Sequence, residues 1–242
     1  MPKILVLNPV SINIWDKITY EYLIKEASPN TEIIVKSLNE GPRTIESEYD
    51  KDLASRYVVD EVVKAEKENF DAVVINCFDD PGLHASRERT SILVLGIGET
   101  SLIVSLLLGY RIAIISTGRN SRALYHKKAS EMGIINRVAY IGSIEISVLD
   151  MRKDLDKLKK MIIDEAKKAI EIFGAEVIVL GCGGFIGLAR ELEEILEAPV
   201  IDPTLITFKI AEALANLKLR HSKLYLYKPP EHKFKEWIRN YV

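Results

Sequence analysis

Two stretches of this chain follow the same plan. In VVINCFDDPGLHASRE (73–88) a continuous apolar run ends on Cys77, and a Pro-Gly turn follows. In VIVLGCGGFIGLARE (177–191) a second apolar run ends on Cys182, and a glycine-rich turn follows. These are the only two cysteines in the chain, 105 positions apart. KILVLN (3–8) stands in the same relation to RIAIIS (111–116) at an offset of 108, and Gly96 to Asp202 at 106. Matches in the same order at a nearly constant offset predict two similar lobes.

The pattern between these anchors names the fold class. EIIVKS (32–37), AVVIN (72–76), ILVLG (92–96), RVAYIG (137–142), EVIVLG (176–181) and PVID (199–202) join the two stretches above as predicted strands. Their apolar runs are continuous rather than alternating, as in parallel strands covered on both faces. Helical patterns occupy residues 49–67, 119–132, 150–173 and 203–217. The expectation is an α/β protein of two similar lobes, each a parallel sheet flanked by helices, related by a pseudo-two-fold axis with the active site between them. The first lobe covers residues 1–98 and is completed by the C-terminal segment 205–242; the second covers 99–204. In the last residues Phe234, Trp237, Ile238 and Tyr241 fall on one helical face, which docks on the body or on another subunit.

The remaining composition narrows the function classes. Hydrophobic residues make up 48% of the 242 positions, enough for a sizeable core, and the formal charge of −2 leaves no basic footprint for nucleic acid. No apolar run reaches the ~18 residues of a transmembrane helix. The opening MPKILVLNPVS reads as a first strand rather than a signal peptide, so a cytoplasmic protein is expected. There a pair of cysteines argues against a disulfide framework. A zinc site is disfavoured too, because no His or Cys stands two to four residues from either thiol and His84 is seven away. C-x-x-C and the P-loop motif are absent, and Ile186 stands where a dinucleotide fingerprint needs its third glycine.

In open α/β sheets ligands bind beyond the carboxyl ends of strands, which is where Cys77 and Cys182 fall. Loop amides and helix N-termini at such ends favour the thiolate. A lone cysteine there is ordinarily a small buried hydrophobe. Two at matching positions, one on each side of a shared cleft, read as the base and the acid of a proton transfer between opposite faces of one carbon. Asp80 reads as a turn former that caps the helix after it, and Asp79 is open between that role and the cleft. Arg87 and Glu88 are expected on a solvated helix face, and His84 at the surface.

GPRTIESEYD (41–50), CFDDPGLHASRE (77–88) and GCGGF (181–185), supported by LNPVS, VIDP and HSKLYLYKPP, resemble the hydantoin racemase family, including allantoin racemases, of the aspartate/glutamate racemase superfamily. The resemblance implies cofactor-independent racemisation at a carbon next to a carbonyl, with Cys77 and Cys182 as acid and base and 5-substituted hydantoins or allantoin as substrates. It places Asn8 and Ser11 in the cleft, with Ser116, Thr117 and Gly118 as their counterparts. Ile45 and Glu46 would cover the entrance, amides of Phe78, Asp79, Gly183 and Gly184 would hold carbonyl oxygens, and Phe185 would bind substrate beside them. It also implies a homo-oligomer. The superfamily's amino-acid racemases carry Asn-Thr and Thr-His after their cysteines, where this chain has Phe78-Asp79 and Gly183-Gly184; many hydantoin racemases read Asn-Pro-Asn-Thr where it has NPVSIN. An acid beside the first thiol suits a neutral ring better than a free carboxylate. The other readings are a racemase or isomerase of a free amino or dicarboxylic acid, and a non-catalytic small-molecule binding module.

Overall fold

The computed structural model describes residues 1–229. The chain runs β1 (Lys3–Asn8), α1 (Asp16–Glu26), β2 (Glu32–Ser37), α2 (Glu48–Lys67), β3 (Ala72–Ile75), α3 (Leu83–Arg89) and β4 (Leu93–Gly96). It continues through α4 (Ile97–Leu108), β5 (Ile112–Ser116), α5 (Ser121–Glu131), β6 (Val138–Ser143), α6 (Leu155–Glu171), β7 (Val177–Leu180), α7 (Ala189–Leu196), β8 (Val200–Ile201) and α8 (Pro203–Asn216). The strands form two four-stranded sheets, β2-β1-β3-β4 and β6-β5-β7-β8, so the second repeats the order of the first. All pairings within them are parallel.

Successive residues of a strand face opposite sides of its sheet, and in this protein both sides are covered. Ile4, Val6 and Val74 meet α1 and α8 through Leu23, Phe208 and Ala211. Leu5, Leu7, Val73 and Ile75 meet α2 and α3 through Val58, Val62 and Leu83. In the second sheet Ile115, Ile178 and Leu180 pack under Leu158 and Ile162 of α6 and Leu192 of α7. Ile112, Ile114, Val177 and Val179 pack against Leu102 of α4 and Tyr125 of α5. Each such aliphatic side chain contributes roughly 1.5–3 kcal/mol by burial, which is why no polar alternation interrupts the strands.

The helices that follow the last strand of each sheet are exchanged. α4 comes after β4 of the first sheet yet places Leu102 in the core of the second, while α8 follows β8 and buries Phe208 against the first. The exchange ties the two halves together beside the strand ends.

Some local expectations are corrected by tertiary context. Helix α6 begins at Leu155, not at residue 150, because the Asp154 carboxylate accepts the Lys157 amide as its N-cap and the preceding turn buries Met151 completely. Arg87 is 4% exposed rather than solvated: its guanidinium donates to the Val94 carbonyl at 2.9 Å and to both Glu99 oxygens at 2.8 and 3.0 Å. Glu88 is half-buried. His84 is exposed, as the sequence suggests, and its Nδ1 lies 3.0 Å from the Tyr227 hydroxyl. Beyond α8 the chain lies along the first lobe, where His221 Nε2 accepts the Val94 amide at 2.9 Å. The helical face of Phe234, Trp237, Ile238 and Tyr241 lies outside the described residues. Among the described residues no helix is long and apolar enough to cross a membrane.

Candidate active site

Each cysteine follows a central strand of its sheet, Cys77 two residues after the end of β3 and Cys182 two after the end of β7. The turns that carry them share two bonds. The Asp80 amide donates to the Cys77 carbonyl at 3.0 Å, and the Phe185 amide to the Cys182 carbonyl at 3.1 Å. The residue two places beyond each thiol turns its amide onto the sulfur: Asp79 onto Cys77, and Gly184 onto Cys182 Sγ at 3.4 Å. Both cysteines then line one cavity between the lobes, with Asn8, Ile45, Glu46, Phe78, Asp79, Thr117, Gly118, Gly183 and Gly184.

A polar string fixes the floor of this cavity. Thr204 Oγ1, at the start of α8, donates to Asn76 Oδ1 at 2.7 Å, and Asn76 Nδ2 donates to Asn8 Oδ1 at 2.7 Å. Asn8 Nδ2 in turn donates to Asp16 Oδ1 at 2.7 Å, and the same carboxylate accepts the Ser37 hydroxyl at 2.6 Å. With every member partnered, the string sets the orientation of both asparagine amides next to Cys77. On the other side the Gly181 carbonyl accepts from Ser116 Oγ at 2.8 Å and from the Tyr125 hydroxyl at 3.0 Å.

The apolar wall is built across the lobe boundary. The Phe78 side chain leaves the first lobe and enters the core of the second, where it meets Tyr125 edge-on at 4.8 Å between ring centroids. Trp15, from the loop after β1, packs against the second lobe's other core cluster. At the mouth Glu46 Oε1 accepts the Val148 amide at 3.4 Å, bringing the segment after β2 against the one after β6.

Of the residues expected here, Ser11, Ser116 and Phe185 do not line the cavity. The Ser11 hydroxyl is turned to the Gly41 carbonyl at 2.9 Å and holds the entrance loop from behind. Ser116 serves the Gly181 carbonyl instead, and Phe185 is fully buried under α6 and α7. Asp80 caps a helix, but α4 rather than α3: its oxygens accept the Gly98 and Glu99 amides at 2.9 and 2.7 Å and pair with Lys128 at 2.6 Å. Sequence reasoning missed Trp15, Asn76, Tyr125 and Val148 as lining residues. Only Asn76 had a local signal, as the polar residue between an apolar strand and its cysteine.

The electrostatics differ from the expected thiolate. α3 starts well beyond Cys77, and only a short 3-10 turn, Gly183–Phe185, follows Cys182. Burial pushes the Cys77 thiol well above its ordinary range, the Asp79 carboxylate pushes it further, and the Asp79 amide opposes them. Burial likewise pushes Cys182 up to about 12 against the Gly184 amide, with Asp79 and Glu46 adding to the rise. Asp79 itself is raised to about 6 by burial, while Lys128 and Lys51 pull it down. Burial therefore outweighs the loop amides at both thiols. Among the described residues no group of three or more His, Cys, Asp or Glu is arranged to hold a metal.

The comparisons with known proteins agree on one family. Residues 4–211 match the family model for Asp/Glu/hydantoin racemases. A hydantoin racemase from Pseudomonas sp. (strain NS671) is 37% identical over 232 residues, 96% of this chain and 93% of that protein. One from Paenarthrobacter aurescens is 34% identical, covering 96% and 98% of the two chains. The solved allantoin racemase from Klebsiella pneumoniae superposes with a TM-score of 0.91 at 28% identity, over 96% of this chain and 95% of that one.

Proposed function

The chain belongs to the Asp/Glu/hydantoin racemase family and is a racemase; from that premise we propose that it acts on 5-substituted hydantoins or on allantoin, with Cys77 and Cys182 as paired base and acid. The observation that carries this reading is the pair of thiols, one from each lobe, on a single cavity with the same amide-on-sulfur turn beneath each.

In the forward direction Cys77, having first given up its own proton to solvent, acts as the thiolate that removes the proton from the ring carbon next to the carbonyl. Electrons move onto that carbonyl oxygen as an enolate, and the Cys182 thiol delivers its proton to the opposite face. The other enantiomer runs the same steps with the thiols exchanged, and no cofactor is required. The Asp79 and Gly184 amides are already turned to the sulfurs, which leaves the Phe78 and Gly183 amides as donors to the enolate oxygen. A neutral ring fits the charge of the site. Its lining includes the acids Glu46 and Asp79 but neither Arg nor Lys, so the carboxylate of a free amino acid would meet like charges and no cation to pair with.

The test is incubation in D₂O with enantiopure 5-substituted hydantoins and allantoin, following optical activity and deuterium at the stereocentre against the buffer-only rate. Loss of optical activity with deuterium uptake fits the proposal. No change above buffer for any ring overturns the substrate assignment, and free amino acids are then the next substrates.

A further inference from the structure

Asp79 is the acid of the site that is largely buried and yet has no bonding partner for its side chain, whose oxygens open onto the cavity. It is 8% exposed, lines the cavity between the thiols, and its carboxyl has no hydrogen bond or ion pair among the described residues. Its neighbours explain why. Lys128, the cation whose field acts most on it, is held by Asp80 at 2.6 Å, and Lys51 reaches it only through its field. Burying an ionised carboxylate without a donor is costly, so such a group points to a partner that arrives with the substrate.

We propose that the Asp79 carboxylate accepts the ring N–H bonded to the reacting carbon, and so fixes how the ring sits between the thiols. This rests on the two-thiol reading above. The Asp79 amide holds the Cys77 sulfur, so its carboxyl stands within one residue's reach of the base, and the reacting carbon must stand at that base. In a hydantoin the ring nitrogen nearest that carbon is N1. The matching place in the second lobe is Gly184, which has no side chain. The repeated cleft alone would accept a flat ring in two orientations; a carboxylate on one side only selects one. The field of Lys51 and Lys128 opposes the rise that burial causes and so favours Asp79 as an ionised acceptor. Both cations also line the neighbouring charged cavity that shares Asp79 with the site.

The test compares a 5-substituted hydantoin with its N1-methyl and N3-methyl derivatives, on the wild-type protein and on Asp79→Ala and Asp79→Asn. Wild type is expected to disfavour the N1-methyl ring by 10-fold or more in kcat/KM relative to the parent. A site built to bond an N–H strongly rejects an analogue without it. In Asp79→Ala, which also makes room for the methyl group, the ratio should fall towards one, with Asp79→Asn between. Each ratio is taken on one variant, so any change in thiol ionisation cancels. A ratio unchanged in Asp79→Ala, or equal losses for both N-methyl rings in wild type, overturns the proposal. If wild type racemises no hydantoin at all, it is the substrate assignment that fails, and the same ratios measured on the ring it does turn over decide the role of Asp79.

Discussion

Asp80 and Asp202 perform one task from opposite ends of it. In the second lobe Asp202 is the N-cap of α8, and its carboxylate accepts the Thr204 and Leu205 amides at 3.0 and 3.1 Å. It also reaches back to the Gly187 amide, in the loop after Cys182, at 2.7 Å. In the first lobe the equivalent cap position is Gly96, and the equivalent amides, Gly98 and Glu99, are taken by Asp80 from the loop after Cys77. Gly96 has to be small, since a Cβ there would lie 2.3 Å from Asp80 Oδ1. In both lobes a buried carboxylate joins the cysteine loop to the exchanged helix.

Asp80→Ala is therefore expected to cost more than a cap. Losing a cap costs about 1 kcal/mol, and leaving a largely buried ammonium unpaired costs about 3–5 kcal/mol. Lys128 is only 14% exposed, so the second effect dominates. Urea denaturation should show a loss of several kcal/mol, and a loss under 1 kcal/mol would refute the cap. Gly96→Ala should be destabilising as well, although alanine is ordinarily the better residue near a helix.

Serine at either cysteine should abolish racemisation by 10³-fold or more while the denaturation midpoint barely moves. A sharper outcome separates the thiols. Each single variant keeps one competent base, so it should still exchange deuterium into one enantiomer, and the two variants should select opposite ones. The proton-exchange spectrum of each enantiomer in D₂O reads this directly; exchange into both enantiomers by one variant would contradict the paired assignment.

Both thiols stand above their ordinary range, so alkylation by iodoacetamide should be slow near pH 7 and should accelerate as pH rises. Burial is the larger cause at both sulfurs, and the carboxylates that add to it differ. Asp79 acts on both sulfurs, whereas Glu46 acts on Cys182. Glu46→Gln should move the Cys182 profile to lower pH and leave Cys77 where it was, while Asp79→Asn should move both. Peptide mass spectrometry of each alkylated cysteine gives the two profiles separately.

The strands and the cysteines were legible because their signals are local. A strand buried on both faces must be apolar throughout, and two thiols at one offset mark equivalent positions. The walls of the site were not, because tertiary contact makes them. Nothing in the sequence around Trp15, Tyr125 or Val148 says that folding brings them beside Cys77 and Cys182. Arg87 misleads for the same reason: its place on a short polar helix reads as solvated, and only the approach of Val94 and Glu99 makes it buried. Asp80 is the intermediate case. Its role as a cap was legible, but which helix it caps depends on the crossing of α4 over the cysteine loop.

The last prediction concerns what Asp79 does to stability. Its carboxyl titrates at about 6 in the folded protein and at roughly 3.9 in an unfolded chain. The folded state therefore holds its proton more tightly than the unfolded state. Stability associated with this group is fully present below the unfolded value and is lost as pH rises through the folded one. The shift corresponds to about 3 kcal/mol at neutral pH, taken as an order of magnitude. Asparagine has nearly the same shape and carries no charge to desolvate. Asp79→Asn should thus be more stable than wild type at pH 7.5, by roughly 1–3 kcal/mol, and the advantage should shrink towards zero near pH 4. Urea melts of the two proteins across that range measure it, and a constant difference would mean that the charge is not the cause. A gain in stability at neutral pH together with reduced discrimination between the parent and N1-methyl rings would place the destabilising charge and the substrate contact on the same atoms.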